Sequence, residues 1–277
     1  VHRNICWIIG ILAAISSACV QGAGEQTDAG NVYVPLADGG TASCRGNSDS
    51  VIDRSELQFI AGVEARYRVN PVGVGVTVNV QGTMSGPTRV WDFSNTDGAL
   101  VSLRLDPLAS QWFAPMFAGA QYAARIDPRA ATVGIYRATD TALELFGAAG
   151  EQQASRTILK YDSPIALLRF PLALNNHWTA TAMVVDGMVD GQTVASRDEY
   201  DITVDAHGEV RLGILTFRDA LRLRIETVQR FPVGPARRSI QYLWLAECYG
   251  EVARVTSRDG EVDPNFGIAQ EFRRLGL

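Results

Sequence analysis

Leu221-Arg222-Leu223-Arg224-Ile225 alternates apolar and charged residues with a period of two. Successive side chains of a strand point to opposite faces. The stretch therefore predicts a β-strand with Leu221, Leu223 and Ile225 in a core and both arginines on the wet face. The same period runs through Val72-Gly-Val-Gly-Val-Thr-Val-Asn-Val80, a second predicted half-buried strand. Further strands fit Thr88–Phe93, Ala99–Leu105, Gln121–Ile126, Thr132–Tyr136, Ala142–Phe146, Arg156–Tyr161, Trp178–Val185, Gln192–Val204, Glu209–Arg218, Leu221–Phe231, Arg238–Leu245 and Val252–Ser257. Turn signals fall between them at Asp97-Gly98, Asp186-Gly187, Asp190-Gly191, His207-Gly208 and Asp259-Gly260. Amphipathic helices are scarce. The fold class is all-β, an antiparallel curved sheet or half-barrel with few short helices. No repeat is visible, and Ala148–Ser155 is the one candidate break.

Outward from this core, the first residues read as a secretory signal over 1–18. Arg3 is followed by the apolar run Ile5–Ile15 and then by Ser16-Ser17-Ala18-Cys19. The run is too short for a bilayer, which takes about 20 apolar residues. Val1 reads as a non-ATG start. Ser17-Ala18-Cys19 resembles the lipobox of bacterial lipoproteins, although Ser16 stands where that pattern has a branched aliphatic residue. The resemblance implies a lipidated Cys19 as the mature N-terminus, with ordinary signal cleavage as the alternative. Val20 after the cysteine implies, by the same resemblance, the outer membrane. Residues 19–43, rich in Gly, Ala, Asp and Thr, read as a flexible tether. Residues 44–277 read as a single β-rich domain.

Composition narrows the function. The chain has 277 residues, 47% of them hydrophobic and 20% charged. Loss of residues 1–18 removes Arg3 and no acid, leaving 24 basic against 30 acidic groups and a net charge of −6. That sign, with no basic stripe, argues against a nucleic-acid partner. Cys6 leaves with the signal. Cys44 and Cys248 remain in an oxidising compartment, where a disulfide between them is expected, two buried free thiols being the alternative. No CxxC pair or neighbouring histidine supports zinc. Asn47, Asp49, Asp53 and Glu56 follow the spacing of a calcium loop, but Arg45 occupies the first ligand place and Ser50 the turn-glycine place, so an N-capped turn is the expectation. No metal or cofactor is expected.

Two passages resemble a family. Tyr161-Asp-Ser-Pro164-Ile-Ala-Leu-Leu-Arg-Phe170-Pro-Leu172-Ala-Leu-Asn-Asn-His-Trp178 is similar to the tyrosine, proline, then "PL-x-x-G-x-x-W" passage of secreted β-sheet lipoproteins. Asn175 and Asn176 stand near its turn glycine. Tyr242-Leu-Trp244-Leu-Ala-Glu247-Cys248-Tyr-Gly250-Glu251-Val-Ala-Arg-Val255 is similar to their late strand pair. These proteins are similar in fold to the lipoprotein carriers LolA and LolB, antiparallel half-barrels closed by a helical lid around an apolar cavity. The resemblance implies such a sheet over roughly residues 60–277.

Chemistry is sparsely signalled. The histidines outside the signal are His177 and His207, and no HExxH, GxSxG or P-loop pattern occurs. Asp186, Asp190, Asp198 and Glu199 read as solvated turn carboxylates. Trp112, Phe113, Met116 and Phe117 form the densest apolar cluster and are the candidate ligand-binding residues, with ordinary core packing as the alternative. The reading is an exported, non-catalytic envelope lipoprotein held in the membrane through Cys19, binding a hydrophobic small molecule or lipid in a concave sheet. Alternatives are a structural or protein-interaction lipoprotein with a self-filled core, and a hydrolase using His177 or His207 with a nearby aspartate. Oligomeric state is left open.

Overall fold

The computed structural model describes residues 31–35, 41–213 and 215–276. Cys19 and the expected signal over 1–18 lie outside them. The strands, in chain order, are β1 (Asn31–Pro35), β2 (Thr41–Arg45), β3 (Val51–Ile52), β4 (Glu64–Val69), β5 (Val76–Thr77), β6 (Thr83–Ser85), β7 (Thr88–Asp92), β8 (Ala99–Arg104), β9 (Asp106–Pro107) and β10 (Tyr122–Arg125). They continue with β11 (Thr132–Ala138), β12 (Ala142–Gly150), β13 (Ile158–Arg169), β14 (Leu172–Ala173), β15 (His177–Val189), β16 (Gln192–Arg211), β17 (Thr216–Arg230), β18 (Arg237–Ala246), β19 (Gly250–Ser257) and β20 (Ile268–Leu275). The helical segments are three-residue 3-10 turns. No helix among the described residues is long and apolar enough to cross a membrane.

Sixteen strands form one sheet, whose main path runs β8-β4-β20-β19-β18-β17-β16-β15-β13-β12-β11-β10-β9. The two ends of this path, β8 and β9, are joined in sequence by Leu105 alone. The sheet therefore curls back on itself into a nearly closed, mainly antiparallel barrel. The expected all-β curved sheet is what forms. Ala148–Ser155 is no break in the sheet, because β12 and β13 pair across it.

The central strands are buried on both faces. On β18, Leu243 and Leu245 join one core cluster, while Tyr242, Trp244 and Ala246 join another. The first cluster draws on strands far apart in the sheet order, from Ala124 of β10 and Tyr136 of β11 to Leu243 of β18. Only the interior of a closed sheet brings such strands together. Gly134 and Tyr136 share this interior face, and a Cβ on Gly134 would overlap the Tyr136 phenol. Much of the second cluster lies outside the barrel wall, where the segment bearing Val78, Val80, Trp91 and Phe93 covers β17, β18 and β20, while its Tyr67, Val69 and Leu275 share the face of Arg273. Its centre is aromatic: Trp91, Phe93 and Phe272 pack edge-on, with Trp244 meeting Trp91 at 5.7 Å and Phe93 at 5.0 Å between ring centroids.

That outer layer corrects one expectation. Leu221, Leu223 and Ile225 are buried as the alternation requires, but Arg222 is not on a wet face. It lies beneath the covering segment, bidentate to Asp205 at 2.8 and 2.9 Å and 4.6 Å from the Tyr242 ring. A second correction falls on Val72–Val80. Only Val76–Thr77 is paired. Pro71 and Gly73 (φ +77°) turn the chain, so Val72 and Val74 lie exposed. His207-Gly208 and Asp186-Gly187 are not hairpin turns either; both sit at bulges within β16 and β15. Asp190-Gly191, with φ of +49° and +77°, is a true two-residue hairpin turn. Asn175, at φ +71°, takes the left-handed conformation at the turn where the family pattern has glycine. Two short strands, β1 and β2, pair within 31–45, overlapping the 19–43 stretch expected to be tether.

Candidate functional site

Cys44 and Cys248 are bonded, with their Cα atoms 5.5 Å apart. The bridge fastens the start of the domain to the β18–β19 turn. Around it the chain is pinned by backbone donors. Cys248 N–H donates to Glu56 O at 2.8 Å, and the Asn47 and Ser48 amides donate to Glu247 Oε2 at 2.7 and 3.0 Å. These contacts consume the residues with calcium-loop spacing. Asp49 Oδ1 accepts from Val51 N–H, and Glu56 Oε2 accepts from Asp53 N–H. Glu56 is buried, and burial raises its carboxyl pKa. Its partners are those of an N-terminal cap, as expected. No metal-holding group of three or more His, Cys, Asp or Glu occurs among the described residues.

Beside this corner three polar side chains from distant segments meet. Ser50 Oγ lies 3.0 Å from Asp219 Oδ1 and 3.3 Å from His207 Nε2, and His207 Nε2 also contacts Asp219 Oδ1. Ser50 has φ +65°. The trio has the composition of a hydrolase triad but not its wiring. In a triad the carboxylate orients one ring nitrogen while the other takes the serine proton. Here serine and carboxylate share one nitrogen, and the serine hydroxyl is already committed to the carboxylate. The arrangement ties the 45–50 loop to β16 and β17. His177 is separate, exposed and 3.1 Å from Asp201.

The structure packs Trp112, Phe113 and Phe117 together, but away from the barrel interior and without Met116. Phe113 and Phe117 are buried with Leu108, Ala123, Val133, Ile135 and Ala149. Ala123 and Ile135 alternate with Ala124 and Tyr136 of the interior cluster, so the aromatic group packs on the outer face of β10–β12. Trp112 Nε1 donates to Gly150 O at 3.0 Å, and Met116 is exposed.

The interior itself is occupied. Tyr161 OH donates to Asp198 Oδ2 at 2.8 Å and lies 3.1 Å from Tyr200 OH, while Gln229 Nε2 approaches the same carboxylate oxygen at 3.3 Å. Asp198, expected at a solvated turn, is 3% exposed in β16. Burial raises its pKa and pushes both tyrosines well above their ordinary value. Further round, Leu243 faces Arg254 and Arg254 faces Arg273 across the ladder, so an ionic group lies on the same interior face. Glu251 accepts from Arg273 Nε at 2.6 Å and from Arg254 Nε at 3.1 Å. Thr256 Oγ1 donates to Glu271 Oε2 at 3.1 Å. Burial lowers the Arg254 pKa and raises that of Glu271; for Arg273 the two glutamates outweigh burial and raise it. Sequence reasoning missed this group because charged residues were assigned outward.

An open groove lies on the surface beside the disulfide corner. It encloses about 570 Å³ and is lined by Asp53, Arg54, Ser55, Asp140, Phe170 and Pro171. No family model matches the chain, and no match was found among curated proteins or solved structures.

Proposed function

We propose that this is an exported, non-catalytic envelope protein, held at a membrane through Cys19, that works through its outer surface rather than by carrying a lipid inside the barrel. The observation that carries the reading is the filled interior. Tyr136, Trp178, Tyr161 and Tyr200 are all 5% exposed or less, and they pack with the leucines of β12, β13, β17 and β18. A carrier of the LolA and LolB kind needs an apolar cavity there. The shared nitrogen at Ser50–His207–Asp219 supports a non-catalytic reading. The lipobox-like Ser17-Ala18-Cys19 supports the anchor.

Native mass spectrometry of the exported protein tests both parts. The expected result is no non-covalent mass lost on denaturation, together with a covalent lipid increment that disappears in Cys19→Ser. A hydrophobic molecule released on denaturation overturns the filled-barrel reading. An unmodified Cys19 overturns the anchor.

A further inference from the structure

We infer that the groove beside the disulfide is a binding site for a small zwitterion with an apolar side chain, of the amino-acid or short-peptide class. Its anchor is Arg54. The guanidinium is fixed before any ligand arrives. Nε donates to Thr139 O at 3.1 Å, Nη1 donates to Leu57 O at 2.6 Å, and the group lies 4.7 Å from the Phe59 ring centroid. Nη2 makes no hydrogen bond among the described residues. One nitrogen of a rigid fork is thus left for a ligand carboxylate, at little further entropic cost.

The acidic side is supplied by Asp53 and Asp140, which line the same groove. Asp140 makes no hydrogen bond or ion pair among the described residues, and its charge acts on Arg54, opposing the burial that lowers the guanidinium pKa. Two carboxylates against one guanidinium disfavour a plain anion. An ammonium group between the carboxylates, with its own carboxylate on Arg54, satisfies all three. Phe170 and Pro171 form the apolar wall. The volume falls within the range of small-molecule sites.

The groove floor is also stiff. The Arg54–Glu56 turn is held by Cys248 N–H on Glu56 O and by Asp53 N–H on Glu56 Oε2. Phe170 packs edge-on against Phe59 at 6.5 Å.

Saturation-transfer NMR on the exported, disulfide-bonded protein tests the inference with three probes: phenylalanine, N-acetylphenylalanine and phenylalaninamide. Phenylalanine carries both charges, and each of the others carries one. The expected result is binding of phenylalanine at least tenfold tighter than either derivative. Arg54→Gln removes the preference over phenylalaninamide. Asp140→Asn, at an exposed hairpin turn, removes the preference over N-acetylphenylalanine without disturbing the fold. Transfer to none of the probes, equal affinity for all three, or binding unchanged in Asp140→Asn overturns the proposal. A lipid found inside the barrel by mass spectrometry would leave these outcomes unaffected, so the two readings fail separately.

Discussion

Glu251 compensates two buried cations at once. Its oxygens meet Arg273 and Arg254, and all three side chains have zero exposure. Taking a charge out of water costs several kcal/mol unless a partner offsets it. Removing Glu251 leaves two buried guanidiniums with Glu271 as the one carboxylate of the group. Glu251→Gln should therefore lower stability by about 3–5 kcal/mol in a urea titration. Asp198 poses the reverse case. Its carboxylate is buried with no cationic partner among the described residues, and burial raises its pKa. The folded state then holds the proton more tightly than the unfolded chain. The stability contribution is fully present below the ordinary carboxylate range and is lost as pH rises through the raised folded value. Asp198→Asn keeps an acceptor for Tyr161 and removes the charge. It should be more stable than the parent at pH 7, with the difference vanishing at pH 3, read from thermal midpoints at both values.

At the scale of elements, the sequence was legible where inward residues were apolar and opaque where they were not. Leu221, Leu223 and Ile225 announce β17 because an apolar face alternates with a polar one. β20 (Ile-Ala-Gln-Glu-Phe-Arg-Arg-Leu) went unread because Glu271 and Arg273 point inward and break the pattern. Val72–Val80 failed in the opposite direction, since perfect alternation was overridden by Pro71 and Gly73. The candidate site was legible in part. The Cys44–Cys248 pairing followed from counting cysteines in a chain read as exported. The groove draws on residues 53–55, 140 and 170–171, and nothing local in the sequence links such separated segments. Disulfide and groove are joined by the Arg54–Glu56 turn, which makes the link testable. Two bonded cysteines separated by 204 positions stabilise by up to about 5 kcal/mol in the loop-entropy account. Cys44→Ala/Cys248→Ala should lose a large part of that in denaturant titration. Amide exchange should quicken first at Glu56, Leu57 and Cys248, before the barrel strands respond.

On the scale of the whole molecule, the barrel is closed by side chains as well as by Leu105. The β10–β11 connection reaches across the seam to strands far from it in the sheet order. Arg129 Nη1 donates to Asn70 O, Asn70 Oδ1 and Gln270 O at 3.2–3.3 Å, and Arg273 Nη1 donates to Ile126 O at 3.2 Å. Asn70, 1% exposed, also accepts from Phe272 N–H, so one buried asparagine holds β4, β20 and the seam together. Arg129 is in turn held by Asp127 at 2.7 Å. Burial works to raise the Asp127 pKa, but the hydrogen bonds and charge of Arg129 outweigh it, and the net direction is down. A depressed folded pKa gives stability that is present above the ordinary carboxylate range and lost as pH falls through the folded value. This is opposite in sign to Asp198, so the two groups separate in a pH titration. Arg129→Ala removes three of the seam contacts and leaves Asp127 without the arginine that hydrogen-bonds it. It should cost about 2 kcal/mol at pH 7, in keeping with hydrogen bonds to a charged group. Exchange at Asn70 and Phe272 should quicken while β17 and β18 stay protected, and the acid-side loss of stability should flatten because only the charge of Arg273 remains to favour the ionised carboxylate. An unchanged acid limb, or exchange quickening uniformly through the sheet, would show that the barrel closes without this latch.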